Sequence, residues 1–154
     1  MLAVVAACDD SVPRHANAAR PMDEPRAQDV IARTFQSEGV DAEPGRTITL
    51  VASHPTKLEV AATGHKYGVV WLTRDVAQDL AALLPKHEGS EGALVVLDGV
   101  GHDAGAHALA LWETDYMTDD LEGVSHSSTE IAAELKLTRD VRDFLLKAKN
   151  DQWP

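Results

Sequence analysis

The chain has 154 residues, the length of one ordinary domain and too short for two well-packed ones. Hydrophobic residues make up 44% and charged residues 25%, which is typical of a globular protein rather than a disordered or fibrous one. The 25 acidic residues outnumber the 14 basic ones, and the formal charge of -11 opposes binding to the phosphate backbone of nucleic acids. No apolar run reaches the ~20 residues that cross a bilayer.

The acidic residues are concentrated between Lys86 and Lys136, where the sequence has no other Lys or Arg. Such a stretch is typical of a solvated surface that aids solubility. It also predicts that a protein partner of residues 88–134 is basic and binds more weakly in salt. Carboxylates suit Ca²⁺ or Mg²⁺, but their spacing matches no EF-hand loop. The acids of this stretch are Glu88, Glu91, Asp98, Asp103, Glu113, Asp115, Asp119, Asp120, Glu122, Glu130 and Glu134.

The N-terminal segment is apolar up to the single cysteine. Residues 2–7 read LAVVAA, and an apolar segment ending in small residues is typical of a signal peptide. Val5-Ala6-Ala7-Cys8 resembles the lipobox of bacterial lipoproteins, in which the cysteine is lipidated and becomes the first residue of the mature chain. The resemblance implies a cell-envelope protein attached to the membrane through lipid on Cys8. Asp9 directly after the cysteine favours the inner membrane. A cytoplasmic protein with a plain thiol is the alternative.

Composition divides the chain into three segments. Residues 1–8 are interpreted as the remnant of a signal peptide with its lipobox. Residues 9–22 contain Pro, Asp and Arg without apolar periodicity, which predicts a flexible tether. Residues 23–154 are then a single domain.

The domain is predicted to begin with a helix. Asp23 can cap it, Pro25 suits its first turn, and Gly39 stops it. Its buried face is predicted to consist of Val30, Ile31, Thr34 and Phe35.

Three β-rich runs follow, at residues 47–52, 58–62 and 67–72. They are predicted to form an antiparallel meander, with a Pro-containing turn at 53–57 and a second break at 63–66. The third run is apolar on both faces, which predicts a central strand with a core tryptophan, Trp71.

Thr73 is predicted to cap a second helix that ends at Pro85. Residues 93–97 form a predicted fourth strand, while 106–112 alternate and fit a fifth strand or a helix. The buried stripe of the second helix is predicted to be Val76, Leu80, Leu83 and Leu84.

A last helix is predicted from the capping box at residues 127–130 onward. Residues 131–137 also alternate, so a strand there is the alternative. The fold class is therefore predicted to be α+β, with helices packed on a small antiparallel sheet of about five strands in the order αβββαββα. The helical core positions are predicted to be Ile131, Leu135, Val141, Leu145 and Ala148.

Residues 101–105, with the sequence GHDAG, follow an apolar run and resemble the nucleophile elbow of α/β-hydrolases of the dehalogenase and epoxide-hydrolase type. That resemblance implies that Asp103 is the nucleophile. The chain lacks the strands and the general-base histidine that such a fold requires. A glycine-rich hairpin loop is the alternative interpretation of residues 101–105.

His102, Asp103 and His107 lie close enough in sequence to share a metal ion, and imidazole suits zinc or copper. No HExxH motif or second ligand pair accompanies them. The sequence therefore predicts a non-catalytic binding or scaffolding domain on a lipoprotein, needing no cofactor. A metal protein or hydrolase-like enzyme centred on these three residues is the alternative.

Overall fold

The computed structural model describes residues 19–50, 54–87, 93–119 and 129–154. The lipobox-like Val5-Ala6-Ala7-Cys8 therefore lies outside the described residues, as do residues 127–128 of the predicted capping box. No helix of the described ranges is long and apolar enough to cross a membrane.

Helices and strands are mixed along the chain, which confirms the α+β class. The elements are more numerous than predicted because several strands are only two to four residues long. Two single 3₁₀ turns, at Gly101–Asp103 and Glu113–Asp115, interrupt the second half. In chain order the described elements are β1 (Arg20–Pro21), α1 (Glu24–Ser37), β2 (Ala42–Pro44), β3 (Thr47–Leu50), β4 (His54–Lys57), β5 (Val60–Ala62), β6 (Tyr67–Leu72), α2 (Arg74–Asp79), β7 (Val95–Asp98), β8 (His107–Trp112), β9 (Met117–Thr118) and α3 (Thr129–Asn150).

The main sheet has five strands in the order β2-β5-β6-β8-β7. Strands β6 and β8 run parallel, with Val69 opposite Leu109, while the other neighbours are antiparallel. The sheet is therefore mixed, and the prediction of a purely antiparallel sheet was wrong. A parallel neighbour needs a crossover, and here α2 and β7 lie between β6 and β8 in the chain.

Strands β3 and β4 form a separate antiparallel pair, so the predicted three-strand meander was wrong. The predicted turn at 53–57 is also wrong in its described part, because His54–Lys57 is β4. Pro55 lies opposite Thr49 in this pair. Proline has no main-chain N–H, but each strand of a two-stranded sheet has an outer edge without a partner strand, and a missing N–H on that edge breaks no hydrogen bond between strands.

The two faces of the main sheet pack against two different hydrophobic cores. On β6, Tyr67, Val69 and Trp71 belong to the core formed with α1 and α3. Val70 and Leu72 belong to the core formed with β3 and with residues that follow α2. The prediction of a central strand at 67–72 is confirmed, since all six of its residues are buried.

Helix α1 forms as predicted. The Asp23 side chain accepts a hydrogen bond from the main-chain N–H of Arg26 at 2.8 Å, and Pro25 lies in the first turn. Gly39 adopts a φ of 75°, a conformation that favours glycine and ends the helix. The predicted face is buried at Val30, Ile31, Thr34 and Phe35.

Helix α2 is shorter than predicted. It ends at Asp79 and continues as turns, with the N–H of Leu83 donating to the carbonyl of Leu80. Of the predicted stripe, Leu80 is buried, whereas Val76 is 39% exposed. The cap prediction is confirmed, because the Thr73 hydroxyl accepts from the N–H of Val76 at 3.4 Å.

Residues 129–150 form one helix, so the strand alternative for 131–137 was wrong. Two of the five predicted core positions were wrong as well, since Ile131 and Leu135 are 59% and 64% exposed. Six residues turn the helix by about 240°, so Leu137 points away from Ile131. The residues that α3 buries are Ala133, Leu137, Val141, Phe144, Leu145 and Ala148.

The last residues of the predicted tether lie in the fold. Arg20–Pro21 pairs with Met117–Thr118 as a two-stranded sheet. The next residue, Met22, is buried, and its N–H donates to the carbonyl of Tyr116 at 2.9 Å.

Candidate functional site

The GHDAG segment forms the loop of an antiparallel hairpin between β7 and β8. Gly99 N–H donates to the carbonyl of Ala106 at 2.7 Å and closes that loop. A nucleophile elbow requires a strand that turns directly into a helix, and the chain here turns back into β8. The glycine-rich hairpin interpretation is therefore confirmed.

The three residues of the predicted metal site have different partners. The Asp103 carboxylate accepts from the main-chain N–H of Thr49 at 2.6 Å, and this hydrogen bond holds its pKa below the usual range. His102 is largely exposed and contacts Asp103 at 3.2 Å. The ring of His107 pairs instead with Asp98 at 2.8 Å. Within the described ranges, no group of three His, Cys, Asp or Glu residues could hold a metal ion.

The acids of the 88–134 stretch are spread through the fold. Each of the seven that the structure describes accepts a hydrogen bond. Glu113 accepts from the N–H of Arg74 at the start of α2, and Asp115 pairs with His87, whose ring stacks on Trp112 at 4.1 Å. The remaining four acids, Glu88, Glu91, Asp120 and Glu122, lie outside the described residues.

A cleft of about 400 Å³ lies at the end of the β5–β6 pairing. Strand β5 begins at Val60, opposite Val69, while β6 continues to Leu72. Strand β4, helix α2 and the first residue of α1 surround the uncovered end of β6. The cleft is lined by Glu24, His54, Pro55, Thr56, Lys57, Glu59, Val70, Trp71, Thr73, Val76, Asp79 and Leu80.

Glu59 is the buried acid of this cleft. The residue is 7% exposed, and its Oε2 atom has no hydrogen-bond partner among the described residues. Lys57 Nζ stands 3.5 Å away, well beyond the usual 2.7–2.9 Å of a charged N–H···O bond. Burial raises the pKa of Glu59, the charge of Glu24 raises it further, and Lys57 opposes the rise.

Trp71 lines the same cleft and carries a buried, unpartnered donor. It is 3% exposed, and its Nε1 atom has no hydrogen-bond partner in the part of the chain that the structure describes. Its ring packs on Tyr116 with centroids 5.4 Å apart and planes at 33°. The Tyr116 hydroxyl donates to Asp140 at 2.8 Å, which fixes the ring that supports the indole.

Unpartnered buried polar atoms are uncommon because each loses its hydrogen bonds to water without replacement. The cost is about 1–3 kcal/mol for each group, and more for a charged one. Glu59 Oε2 and Trp71 Nε1 both carry this cost, and both residues line one cleft. A molecule in the cleft therefore lies beside two residues that each bury an unpartnered polar atom.

Sequence reasoning missed this pair. Glu59 falls inside the run 58–62, where a single acid among apolar residues was the available signal. Trp71 was predicted to be core, and its burial is confirmed. The absence of a partner for its N–H among the described residues depends on tertiary packing, which local sequence does not specify.

Comparison with known proteins found no matching family model, no matching curated protein and no matching solved structure.

Proposed function

We propose that this chain is a small-molecule-binding domain whose ligand occupies the cleft between β4, β6 and α2. One observation carries the proposal. The Oε2 atom of Glu59 and the Nε1 atom of Trp71 are buried and lack hydrogen-bond partners among the described residues, and both residues line the same cleft.

The cleft also has the composition of a ligand site. Small-molecule sites of about 300–1,000 Å³ combine apolar walls with a few polar groups that fix orientation. The apolar wall here is formed by Pro55, Val70, Val76 and Leu80. Val76 is 39% exposed although it is apolar, so a ligand that covers it removes that surface from water.

The proposed activity is binding without catalysis. The Thr73 hydroxyl accepts a hydrogen bond as the cap of α2. Among the described residues, the cation that pairs with Glu59 is Lys57, at 3.5 Å. A carboxylate in this setting is suited to accept a hydrogen bond from a ligand.

We also propose that the domain is held at the bacterial envelope by lipid on Cys8, following the lipobox resemblance of residues 5–8. The test is the intact mass and membrane partitioning of the protein made in a bacterium, beside Cys8→Ala. Loss of residues 1–7 with a gain of lipid mass supports the anchor. Wild type and variant that are equally soluble and uncleaved would refute it.

The binding proposal is tested by nuclear magnetic resonance with a fragment library. The chain has three tryptophans, so Trp112 and Trp153 serve as internal controls for the indole N–H resonance of Trp71. We expect fragments that bind to move the Trp71 indole signal and to lose affinity in Trp71→Phe, which keeps the ring and removes the N–H. A library in which no fragment moves that signal would overturn the proposal.

A further inference from the structure

The cleft carries a surplus of negative charge. Among the described residues that line it, Glu24, Glu59 and Asp79 are acids, while Lys57 and His54 are the basic residues. Lys57 compensates Glu59 incompletely, because its side chain is 57% exposed and its Nζ atom remains 3.5 Å from Oε2. Solvent screens a charge that is exposed to this extent.

The two unpartnered atoms require opposite chemistry from a ligand. Glu59 Oε2 accepts a hydrogen bond when ionised, so the ligand must place a donor there. The indole N–H of Trp71 is only a donor, so the ligand must place an acceptor beside it. Val76 and Leu80 offer apolar surface in the same cleft.

We propose that the ligand is a small amine with an apolar body, whose ammonium group donates to Glu59 and whose neighbouring hydroxyl or carbonyl oxygen accepts from the Trp71 indole N–H. This inference rests on the proposed binding function and names its ligand class. The ammonium group adds to the counter-charge that Lys57 supplies incompletely from 3.5 Å, and it also donates a hydrogen bond.

Neutral and anionic ligands satisfy the cleft less well. A diol can make both hydrogen bonds, but it adds no positive charge to the incomplete compensation of Glu59 by Lys57. A carboxylate ligand can accept from Trp71, yet it brings a like charge towards Glu24, Glu59 and Asp79. Electrostatics therefore favours the cation over molecules of equal shape.

The pH dependence supports the same ligand class. Burial raises the pKa of Glu59, so acidification neutralises this carboxylate earlier than an exposed one. Glu24, Asp79, His54 and Lys57 are the other titratable or charged groups that line the cleft. Loss of the Glu59 charge removes the ionic partner of an ammonium ligand, so the affinity of that ligand falls as the pH is lowered.

The test uses three probes with one phenyl ring and one hydroxyl in common. They are 2-amino-1-phenylethanol, 1-phenyl-1,2-ethanediol and mandelate, which are cationic, neutral and anionic at neutral pH. Dissociation constants are measured on the full chain from the Trp71 indole resonance. We expect the amine to bind about tenfold more tightly than the diol, because its hydrogen bond to Glu59 is charge-assisted. We expect mandelate to bind most weakly.

Two variants at the cleft test whether the charge of the lining, rather than its shape, produces the preference for the amine. Glu59→Gln keeps the size of the side chain and is expected to remove most of the preference for the amine. Val76→Lys adds a cation at an exposed position of the lining and is expected to weaken binding of the amine more than binding of the diol, because both lose the apolar contact but only the amine is repelled. Gln78→Lys adds the same charge to an exposed position of α2 outside the cleft lining and is the matched control.

The outcomes distinguish the ligand class from the binding function. A diol or mandelate that binds as tightly as the amine overturns the amine inference and leaves the cleft as a binding site. Failure of all three probes to move the Trp71 signal also overturns the inference, while the fragment library then decides the binding function. Equal loss of amine affinity in Val76→Lys and Gln78→Lys contradicts a cleft-centred cation site. Since Val76 is on the surface, this comparison remains informative if Glu59→Gln fails to fold.

Discussion

The Asp103 carboxylate accepts a hydrogen bond from the main-chain N–H of Thr49 at 2.6 Å. The carbonyl of the same Thr49 accepts from the N–H of Val100 at 2.9 Å. Both main-chain groups of one β3 residue are therefore held by the β7–β8 loop, which docks the β3–β4 hairpin on the main sheet. The residue that sequence reasoning placed in a catalytic or metal site thus has a clear structural contact.

This contact predicts an acid-sensitive contribution of Asp103 to stability. The Thr49 N–H lowers the pKa of Asp103 in the folded chain, so the stabilisation is present above the unfolded pKa and is lost as the pH falls through the folded pKa. We expect Asp103→Asn to lower Tm at neutral pH, with the difference from wild type disappearing in acid. Thermal unfolding across pH measures this.

Asp143→Asn is the control for that series, because Asp143 is an exposed acid on α3. It removes the same charge away from the hairpin contact and should change Tm little. A loss of Tm in Asp103→Asn that is the same at every pH would contradict the role of the ionised carboxylate.

Glu59 predicts the opposite pH dependence. Its pKa is raised by burial, so the folded chain binds this proton more tightly than the unfolded chain. Stability is then greatest below the unfolded pKa and is lost as the pH rises through the folded pKa. We expect Glu59→Gln to stabilise the chain by about 1 kcal/mol at neutral pH, by relieving an unpartnered buried charge.

For a domain of this size, 1 kcal/mol corresponds to about 2–4 °C in Tm. The gain should shrink towards zero in acid, where Glu59 is protonated in both states. A lower Tm of Glu59→Gln at neutral pH would show that the carboxylate is well partnered in the folded chain. Stabilisation by removal of a cleft residue is the pattern that a binding group produces.

Local sequence signals were sufficient for the elements that depend on neighbouring residues. Helix α1 has its cap at Asp23 and its stop at Gly39, and β6 is an uninterrupted apolar run. These features depend on contacts a few residues apart.

Pairings over long distances in the sequence were beyond local reasoning. The parallel neighbour of β6 lies about forty residues later, with Val69 opposite Leu109. Asp103 and Thr49 meet across 54 positions. The candidate site was missed for the same reason, since it requires β4 and α2 to leave the end of β6 uncovered.

Tyr116 and Asp140 form the polar contact behind the cleft tryptophan. Tyr116 is buried, and its pKa is raised above its usual range by burial and by Asp140. Hydrogen bonds to charged groups contribute about 1.5–3 kcal/mol. We expect Tyr116→Phe to lower the free energy of unfolding by about this amount. The aromatic ring that remains still packs on Trp71.

A double-mutant cycle with Asp140→Asn isolates this contact. Lys136 and Arg139 also contact Asp140, at 3.2 and 3.3 Å, so each single variant disturbs more than one partner. We expect the double variant to lose less stability than the sum of the two single losses. Strict additivity in urea unfolding would show that the Tyr116 hydroxyl and Asp140 do not stabilise each other.

Two leucines on α3 test which face of the helix packs on the sheet. Leu137 is fully buried, whereas Leu135 is 64% exposed. Leu137→Ala should cost about 2–5 kcal/mol, because it removes buried methyl groups and leaves a cavity. Leu135→Ala should stay within about 0.5 kcal/mol of wild type, since surface changes have small effects. Both variants change the same residue type in one helix, so helix propensity cancels in urea unfolding. Equal losses would place Leu135 in the core, as the helical spacing of the sequence predicted.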